Sequence, residues 1–293
     1  MNAVVVVPPG AATRPVLSIT RLETARLLRH PVFVIAVLAY AWYVVKGAVL
    51  DPAPDLRNMS EDWSVLTAFF LGLGGFVTMH RITRSTGPSS EVVRSVPVDE
   101  PRRTLALCLT CLVPCALAVV SGLFTWAMWT VGPGGGPEAE YAVLTRGEIW
   151  AFHVTTVLAT LGGPLLGVAV GRWWRWPMAG GVVAVALVAW SVSTGAFTRG
   201  FGTTLHHMAG PYGVTITGES SVQAFRQAGS WYWHVPYIAA LCVLAALAAL
   251  LHGATGRTRR RLLGAGGATV GLALVFLLLS VLTGPEGVLV WHA

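Results

Sequence analysis

The chain has 293 residues, of which 54% are hydrophobic and only 11% are charged. An ordinary soluble domain is about a quarter charged, and the apolar residues here come in long runs, which excludes a soluble globular protein and indicates a polytopic membrane protein. A formal net charge of +7 would suggest a nucleic-acid partner for a soluble chain. Here the basic residues lie in alternate connections between apolar runs, so we expect a lipid bilayer and no nucleic acid.

The first region, residues 1–30, is predicted to be a cytoplasmic tail followed by an interfacial helix. Residues 14–30 carry Glu23, Arg26 and Arg29 among leucines that do not form one clean stripe. Arginines of this kind can extend to the headgroups while their stems cover apolar surface, which favours a helix lying at the membrane interface. The alternative is a simple basic flank before the first span.

Residues 31–293 are predicted to form the transmembrane domain. Seven apolar segments are each about long enough to cross a bilayer as a helix. The predicted fold is therefore an all-α polytopic membrane protein of about seven transmembrane helices, with the spans at residues 32–50, 63–82, 104–131, 148–171, 177–197, 232–252 and 262–283.

The basic residues set the predicted orientation. The outer segments hold Lys46, Arg57, Arg146, Arg199 and Arg226. With the N-terminus inside, the inner segments hold the other fifteen of the 20 basic residues, at positions 14, 21, 26, 29, 81, 84, 94, 102, 103, 172, 175, 257, 259, 260 and 261. This positive-inside asymmetry places the N-terminus in the cytoplasm, and an odd number of spans places the C-terminus outside.

The basic residues also suggest a source. Lysine occurs only at position 46, and arginine in place of lysine, with abundant alanine, valine and glycine, is typical of GC-rich bacterial genomes. The expected location is a bacterial plasma membrane.

The loop at residues 83–103 is the longest basic interruption between spans and is predicted to hold a short helix. Ser89 or Ser90 can cap the helix start after Pro88, and Pro97 ends it. Val92, Val93 and Val96 then fall on one side, and Glu91 and Arg94 on the other. Such a helix can dock on a soluble partner. The alternative is a solvated loop whose arginines only set topology. Asp99 is the predicted cap of the following helix, with Pro101 in its first turn.

Spans two and four carry small residues that predict close packing or local kinks, and we favour packing. These are Gly72, Gly74 and Gly75 in span two, and Gly162, Gly163 and Pro164 in span four. No charged residue lies near the centre of any segment, which argues against a proton relay or an ion-coupled pump.

The outer segment at residues 198–231 ends in Trp231, Tyr232 and Trp233, an aromatic belt at the membrane interface. Four histidines are assigned to the outer side, at positions 206, 207, 234 and 292, but their spacing matches no ligand motif. Cysteines 108, 111, 115 and 242 lie within apolar runs and are expected to be buried residues. We therefore predict no metal site and no catalytic residue, and the chain has no Walker-type phosphate loop.

In the order of its features, the chain resembles the transmembrane subunit of an ABC-2-type exporter over about residues 17–252. Those permeases open with a cytoplasmic connecting helix of the form E-x-x-R-x-x-R-x-P, and Glu23, Arg26, Arg29 and Pro31 stand at that spacing. A coupling helix follows between spans two and three, here within SSEVVRSVPVDEPRR. A longer outer segment precedes the last family span. The family usually has six spans, so residues 262–283 would be an added helix.

The resemblance implies a permease subunit exporting a hydrophobic or amphipathic substrate. The coupling residues would be Ser90, Glu91, Val92, Val93, Arg94, Val96 and Pro97. ATP and Mg would be bound by a cytoplasmic ATP-binding subunit and not by this chain, which would not itself be an enzyme. A second membrane subunit, identical or related, would complete the pathway. Two alternatives stay open, namely a non-catalytic anchor or regulatory subunit of another complex, and a membrane-embedded lipid-processing enzyme using Asp51, Asp55, Glu61 and Asp62.

Overall fold

The computed structural model describes residues 13–46, 66–85, 99–131, 146–174, 176–193, 201–210, 216–220, 223–226, 229–283 and 287–290. Within them the chain is all-α apart from one small antiparallel sheet with the strand order β1-β2-β3. The elements are α1 Thr13–Arg29, α2 Pro31–Val45, a π-helical segment Ala68–Leu73 running into α3 Gly74–Ser85, α4 Glu100–Thr110, α5 Leu112–Val131, α6 Arg146–Trp173, α7 Ala179–Ser193, α8 Phe201–Ala209, β1 Ile216–Ser220, β2 Gln223–Arg226, α9 Trp231–His252, α10 Gly256–Leu282 and β3 Gly287–Val290.

Four helical stretches in the described chain are long and apolar enough to cross a membrane: Glu100–Phe124, Trp150–Trp173, Trp231–His252 and Gly256–Leu282. A fifth is added if Val16–Arg29 and Pro31–Val45, which meet at 62°, form one bent span. The protein is therefore a helical protein with several candidate membrane spans. The predicted count of seven is larger because two segments differ from a full apolar span.

Those two segments are the second and the fifth. The fifth is α7, whose 15 described residues extend over about 22 Å at 1.5 Å per residue, less than the ~30 Å hydrocarbon core; residues 194–197 of the predicted span lie outside the described residues. The second is long enough, but its last two turns carry His80, Arg81 and Arg84, which lower its mean hydropathy.

Helix α6 is the centre of the bundle, because α9, α3, the π-helical segment and α5 all pack against it. Its contact with α3 is a backbone contact. A Cβ atom at Gly163 would overlap the carbonyl of Gly72, and one at Gly167 would overlap the carbonyl of Phe76. A Cβ atom at Gly75 would lie 2.6 Å from Cγ of Pro164. The predicted close packing of spans two and four is confirmed, and glycine permits it because it has no side chain.

The helix after the predicted coupling loop begins where the sequence indicates. Asp99 precedes α4 in extended conformation, and Pro101 lies in the first turn. The Asp99 side chain makes no capping hydrogen bond and instead lies 3.8 Å from Nε of Arg102. The long apolar segment then breaks at Cys111 between α4 and α5, because Pro114 has no N–H to donate to the carbonyl four residues back.

The outer segment has more structure than a loop. It contains α8 and the hairpin β1–β2, and β2 pairs antiparallel with β3 near the C-terminus, with Ala224 opposite Leu289. The backbone N–H of Ser230 also donates to the carbonyl of Ser280, at 2.7 Å. The end of α10 therefore lies on the same side of the bundle as the start of α9. We call this side the outer end, and the side where α4 begins and α6 and α9 end the inner end.

The aromatic cluster at the start of α9 is only partly an exposed belt. Tyr232 and Trp233 are exposed, but Trp231 is fully buried. Its ring lies edge-on to Phe152, with centroids 5.1 Å apart, and to His234, at 5.3 Å. The belt interpretation was wrong for Trp231, which belongs to the core because α6 and α9 meet at this point.

Candidate functional site

Three helices meet at the inner end through one carboxylate. Glu100, in the first turn of α4, accepts a hydrogen bond from Nη1 of Arg172 at 3.3 Å, and its Oε1 lies 3.1 Å from Nδ1 of His252. Arg172 is in the last turn of α6 and His252 in the last turn of α9. The side chain of Arg172 is 6% exposed and that of Glu100 is 46% exposed. We call Glu100, Arg172 and His252 the inner charge cluster.

The positions of these charges suit the helices that carry them. An acid near a helix N-terminus and a base near a helix C-terminus are both stabilised by the helix dipole. Glu100 and Arg172 stand in these positions. A Cβ atom at Gly253 would lie 3.1 Å from Cγ of Glu100, so the glycine after α9 lets α4 approach closely. The cluster therefore holds the start of α4 against the ends of α6 and α9.

The cluster is not fully satisfied. Nε and Nη2 of Arg172 are buried and find no hydrogen-bond partner among the described residues, and Nε of Arg103 is in the same condition. A buried donor without a partner costs about 1–3 kcal/mol. Within the described structure, Glu100 supplies both the hydrogen-bond acceptor and the countercharge of Arg172.

A second link joins the same helices beside the cluster. The indole Nε1 of Trp173 donates to the carbonyl of Ala248 on α9, at 2.7 Å. The Trp173 ring also lies edge-on to the imidazole of His252, with centroids 5.5 Å apart. Helices α6 and α9 are therefore tied together at the level where Glu100 contacts both of them.

The predicted connecting helix forms as α1. Glu23 is buried, at 1% exposure, and Leu27 beside it is fully buried. Nη1 of Arg26 donates to Oε1 of Glu23 at 3.2 Å, while Arg29 is exposed. Helix α1 packs mainly on α4, the helix that carries Glu100, and Leu27 lies in the same buried core cluster as Leu107 of α4.

The predicted coupling residues lie outside the described residues. These are Ser90, Glu91, Val92, Val93, Arg94, Val96 and Pro97. The outer acids at 51, 55, 61 and 62 and His292 lie outside them as well. The structure describes the two helices on either side of the loop, α3 ending at Ser85 and α4 beginning at Glu100.

The predicted histidine group is divided by the structure. His206 lies 2.9 Å from Oγ of Ser193 through Nε2 and stacks on Trp190. His207 and His234 are fully buried, and Nε2 of His234 lies 3.2 Å from the carbonyl of Gly210. Burial, followed by the nearby His206, lowers the pKa of His207, which lies in α8 outside the spans. No group of three or more metal-ligating side chains occurs in the described chain.

The cysteines behave as small buried residues. All four are free, with Cys111 and Cys242 buried and Cys108 and Cys115 partly buried. The thiol of Cys242 donates to the carbonyl of Leu158 at 3.1 Å, which adds a contact between α9 and α6. These thiols pack the helices, as predicted.

A cavity of about 600 Å³ lies between α6, α7, α9 and the helix formed by the π-helical segment and α3. Ala248, which accepts the hydrogen bond from Trp173, lines it, as do Ala169 on α6 and Leu187 on α7. The two helices bound by Glu100 at the inner end are therefore two of the walls of this cavity.

The sequence pattern did not reveal the inner charge cluster. From the sequence, Glu100 is part of the loop at residues 83–103, and Arg172 is one of the inner basic residues that set the orientation. His252 has no predicted role. Their only sequence signal is that each stands in the first or last turn of an apolar segment. In the chain, Arg172 lies 72 positions and His252 lies 152 positions from Glu100. Only the tertiary structure can bring these side chains together.

No protein-family model, curated protein or solved structure matches this chain.

Proposed function

We propose that this protein is the membrane-spanning permease subunit of an ATP-driven exporter whose ATPase is a separate cytoplasmic protein. The observation that carries the proposal is the position of Glu100. It lies within the predicted coupling loop, three residues after Pro97, at the first residue of α4, and it bonds the inner ends of α6 and α9, which line the apolar cavity. A displacement of the loop by a bound partner would act on the cavity walls through one side chain.

The proposed arrangement has seven spans with the N-terminus in the cytoplasm. The pairing of β2 with β3 supports an extra crossing by α10, because it brings the end of α10 to the side where α9 begins. Only 6% of the apolar stretch of α10 is buried, as expected for a peripheral helix surrounded by lipid. A second membrane subunit, identical or related, completes the pathway in this proposal.

Energy enters through contacts that differ between two states of the complex. A partner can shift a conformational equilibrium only by its difference in affinity for the two states. In this proposal, ATP binding to the partner selects a second arrangement of α4 against α6 and α9.

The experiment tests the loop against a matched charge change. Val93→Asp and Arg94→Glu are introduced into the protein, which is co-expressed with the cytoplasmic ATP-binding protein that this proposal requires. We expect the complex to form and both variants to lose most of the ATP hydrolysis that the permease stimulates. The control is Arg259→Glu, the same charge change at an exposed arginine in the first turn of α10, also on the predicted cytoplasmic side. It should retain wild-type stimulation.

Two outcomes would contradict the proposal. One is a purified protein that is stable and active in vesicles with no ATPase present. The other is a complex of this protein with the ATPase that shows no export in vesicles, either with or without ATP. That result would make the protein an anchor or regulatory subunit. Export assayed in proteoliposomes with and without the ATPase separates these cases.

A further inference from the structure

The cavity between α6, α7 and α9 is long, apolar and built from one face of each helix. On α7 its lining residues are Val183, Ala186, Leu187, Val188, Trp190 and Ser191, and all of them except Val188 recur at the spacing of one helix face. On α9 they extend from residue 238 to residue 248, a length of about 15 Å at 1.5 Å per residue. That is about half of the ~30 Å hydrocarbon core of a bilayer. The cavity is therefore elongated along the helices.

The lining excludes polar ligands. Among the described residues of the lining, side-chain hydrogen-bonding atoms belong only to Ser191, Cys242 and Trp190. The hydroxyl of Ser191 donates to the carbonyl of Leu187 at 2.9 Å, and the thiol of Cys242 donates to that of Leu158 at 3.1 Å. Two of the three polar groups are thus already bonded. An ion, a sugar or a phosphate would lose its hydration here without compensation, at a cost of several kcal/mol.

The outer end of the cavity is different. Trp190 lines the cavity and is 44% exposed, and its ring stacks on His206 with centroids 5.0 Å apart. Nε2 of His206 lies 2.9 Å from Oγ of Ser193. A hydrogen-bonding cluster of indole, imidazole and hydroxyl groups therefore stands where the apolar cavity meets the outer end of the bundle.

We propose that this cavity binds one hydrocarbon chain of an amphipathic lipid, with the polar head of that lipid at Trp190, His206 and Ser193. The volume of about 600 Å³ falls within the range of ligand sites. A hydrocarbon chain in the cavity would gain dispersion contacts along the apolar lining, and the surrounding bilayer supplies such chains at high concentration. The proposal rests on the protein lying in a membrane and does not require that it export anything.

The test is photolabelling of the full-length protein in phosphatidylcholine–phosphatidylglycerol vesicles. The probe is a trace of phosphatidylcholine with a diazirine in one acyl chain, and labelled positions are read by mass spectrometry. We expect Leu187 and Leu244, on two walls of the cavity, to be labelled several-fold more than Val185. Val185 is 69% exposed on the opposite face of α7 and reports the bulk lipid. Equal labelling of Val185 and the two leucines would overturn the proposal.

Variants that fill the cavity provide the second arm. Ala186→Phe on α7 and Ala245→Phe on α9 place a ring in the cavity from two walls. We expect each to reduce labelling of the leucines several-fold. Ala189→Phe is the matched control, because Ala189 is exposed on α7 and does not line the cavity, and it should leave the labelling unchanged. Labelling that persists in both filled variants would reject the site.

A competition with the wild-type protein covers the case in which the filled variants do not fold. An excess of unlabelled long-chain alcohol should reduce labelling of the two leucines and leave Val185 unchanged. The alcohol should act at several-fold lower concentration than the alkane of the same length, because its hydroxyl can bond His206 or Ser193. Equal potency of the alcohol and the alkane would show that the polar head is not bound at Trp190, His206 and Ser193. Absence of competition by either compound would show that the cavity does not bind a hydrocarbon chain.

Discussion

Replacing Glu100 by Gln tests the inner charge cluster with a minimal change. The substitution keeps the size of the side chain and its acceptor oxygen but removes the negative charge. Arg172 is then left buried, with no countercharge from Glu100 and with Nε and Nη2 still without partners in the described structure. Breaking a fully buried ion pair costs about 3–5 kcal/mol, whereas an exposed pair contributes about 0–1 kcal/mol.

The geometry places this pair between those limits. Arg172 is 6% exposed and Glu100 46% exposed at the side chain, so we expect Glu100→Gln to lower the free energy of unfolding by about 2 kcal/mol. Arg172→Met fills the same space without a charge, and the half-exposed Glu100 keeps His252 as a partner. This variant should cost less than about 1 kcal/mol, because an apolar group of similar volume can replace a buried charge with little loss.

The double variant decides whether the two side chains interact. With Arg172 absent there is no buried charge to leave uncompensated, so adding Glu100→Gln to Arg172→Met should cost almost nothing. The coupling energy of the cycle should then be about 2 kcal/mol, equal to the cost of Glu100→Gln in the wild type. The free energy is measured by SDS titration of the protein in detergent micelles, followed by circular dichroism. Additive costs, or a Glu100→Gln variant as stable as the wild type, would refute the role of this carboxylate.

Two further predictions concern other parts of the bundle. Gly167→Ala should lower the free energy of unfolding by about 1–3 kcal/mol through overpacking, because the added Cβ would overlap the carbonyl of Phe76. The control Gly122→Ala should be neutral or stabilising, because a Cβ atom there would have nothing within 4 Å. Equal effects of the two variants in the same SDS titration would refute the backbone contact. Burial lowers the pKa of His207 from its ordinary value of 6.5, so the folded state favours the neutral imidazole. The free energy of unfolding should therefore be unaffected by this group above pH 6.5 and should decrease as the pH falls below 6.5. His207→Phe should flatten that part of the pH profile of thermal unfolding, and an unchanged profile would show that His207 does not contribute.

Many local features of this fold could be read from patterns within single segments. The long apolar runs indicate the helices, because each run must satisfy its own backbone in lipid. Asp99 and Pro101 predicted the start of α4, and the glycines of spans two and four predicted their close contact, because these effects depend on neighbouring residues in the chain or on the size of one side chain. The sequence also predicted Cys108, Cys111 and Cys242 as packing residues, because they lie within apolar runs.

Other features depend on which segments meet, and no segment carries that information alone. The outer segment at residues 198–231 was predicted as a loop because its helix and strands are short. Its hairpin β1–β2 is extended to a three-stranded sheet by residues 287–290, which lie near the C-terminus. Trp231 was assigned to the interface because an aromatic residue at a helix end looks the same whether a neighbour covers it or lipid does. Phe152 on α6 decided that it is buried.

The inner charge cluster and the cavity are also products of the tertiary structure. Glu100, Arg172 and His252 each look like an ordinary charge or imidazole at the end of an apolar segment. Only the packing of α4, α6 and α9 places Nη1 of Arg172 and Nδ1 of His252 within 3.3 Å of Oε1 of Glu100. The cavity is a space left between four helix faces, each of which alone looks like a normal core or lipid-facing stripe. Apolar periodicity determines that a face is covered by something apolar, because the hydrophobic effect is non-directional. Shape and hydrogen-bond geometry, which appear only when helices distant in sequence come together, decide what covers it.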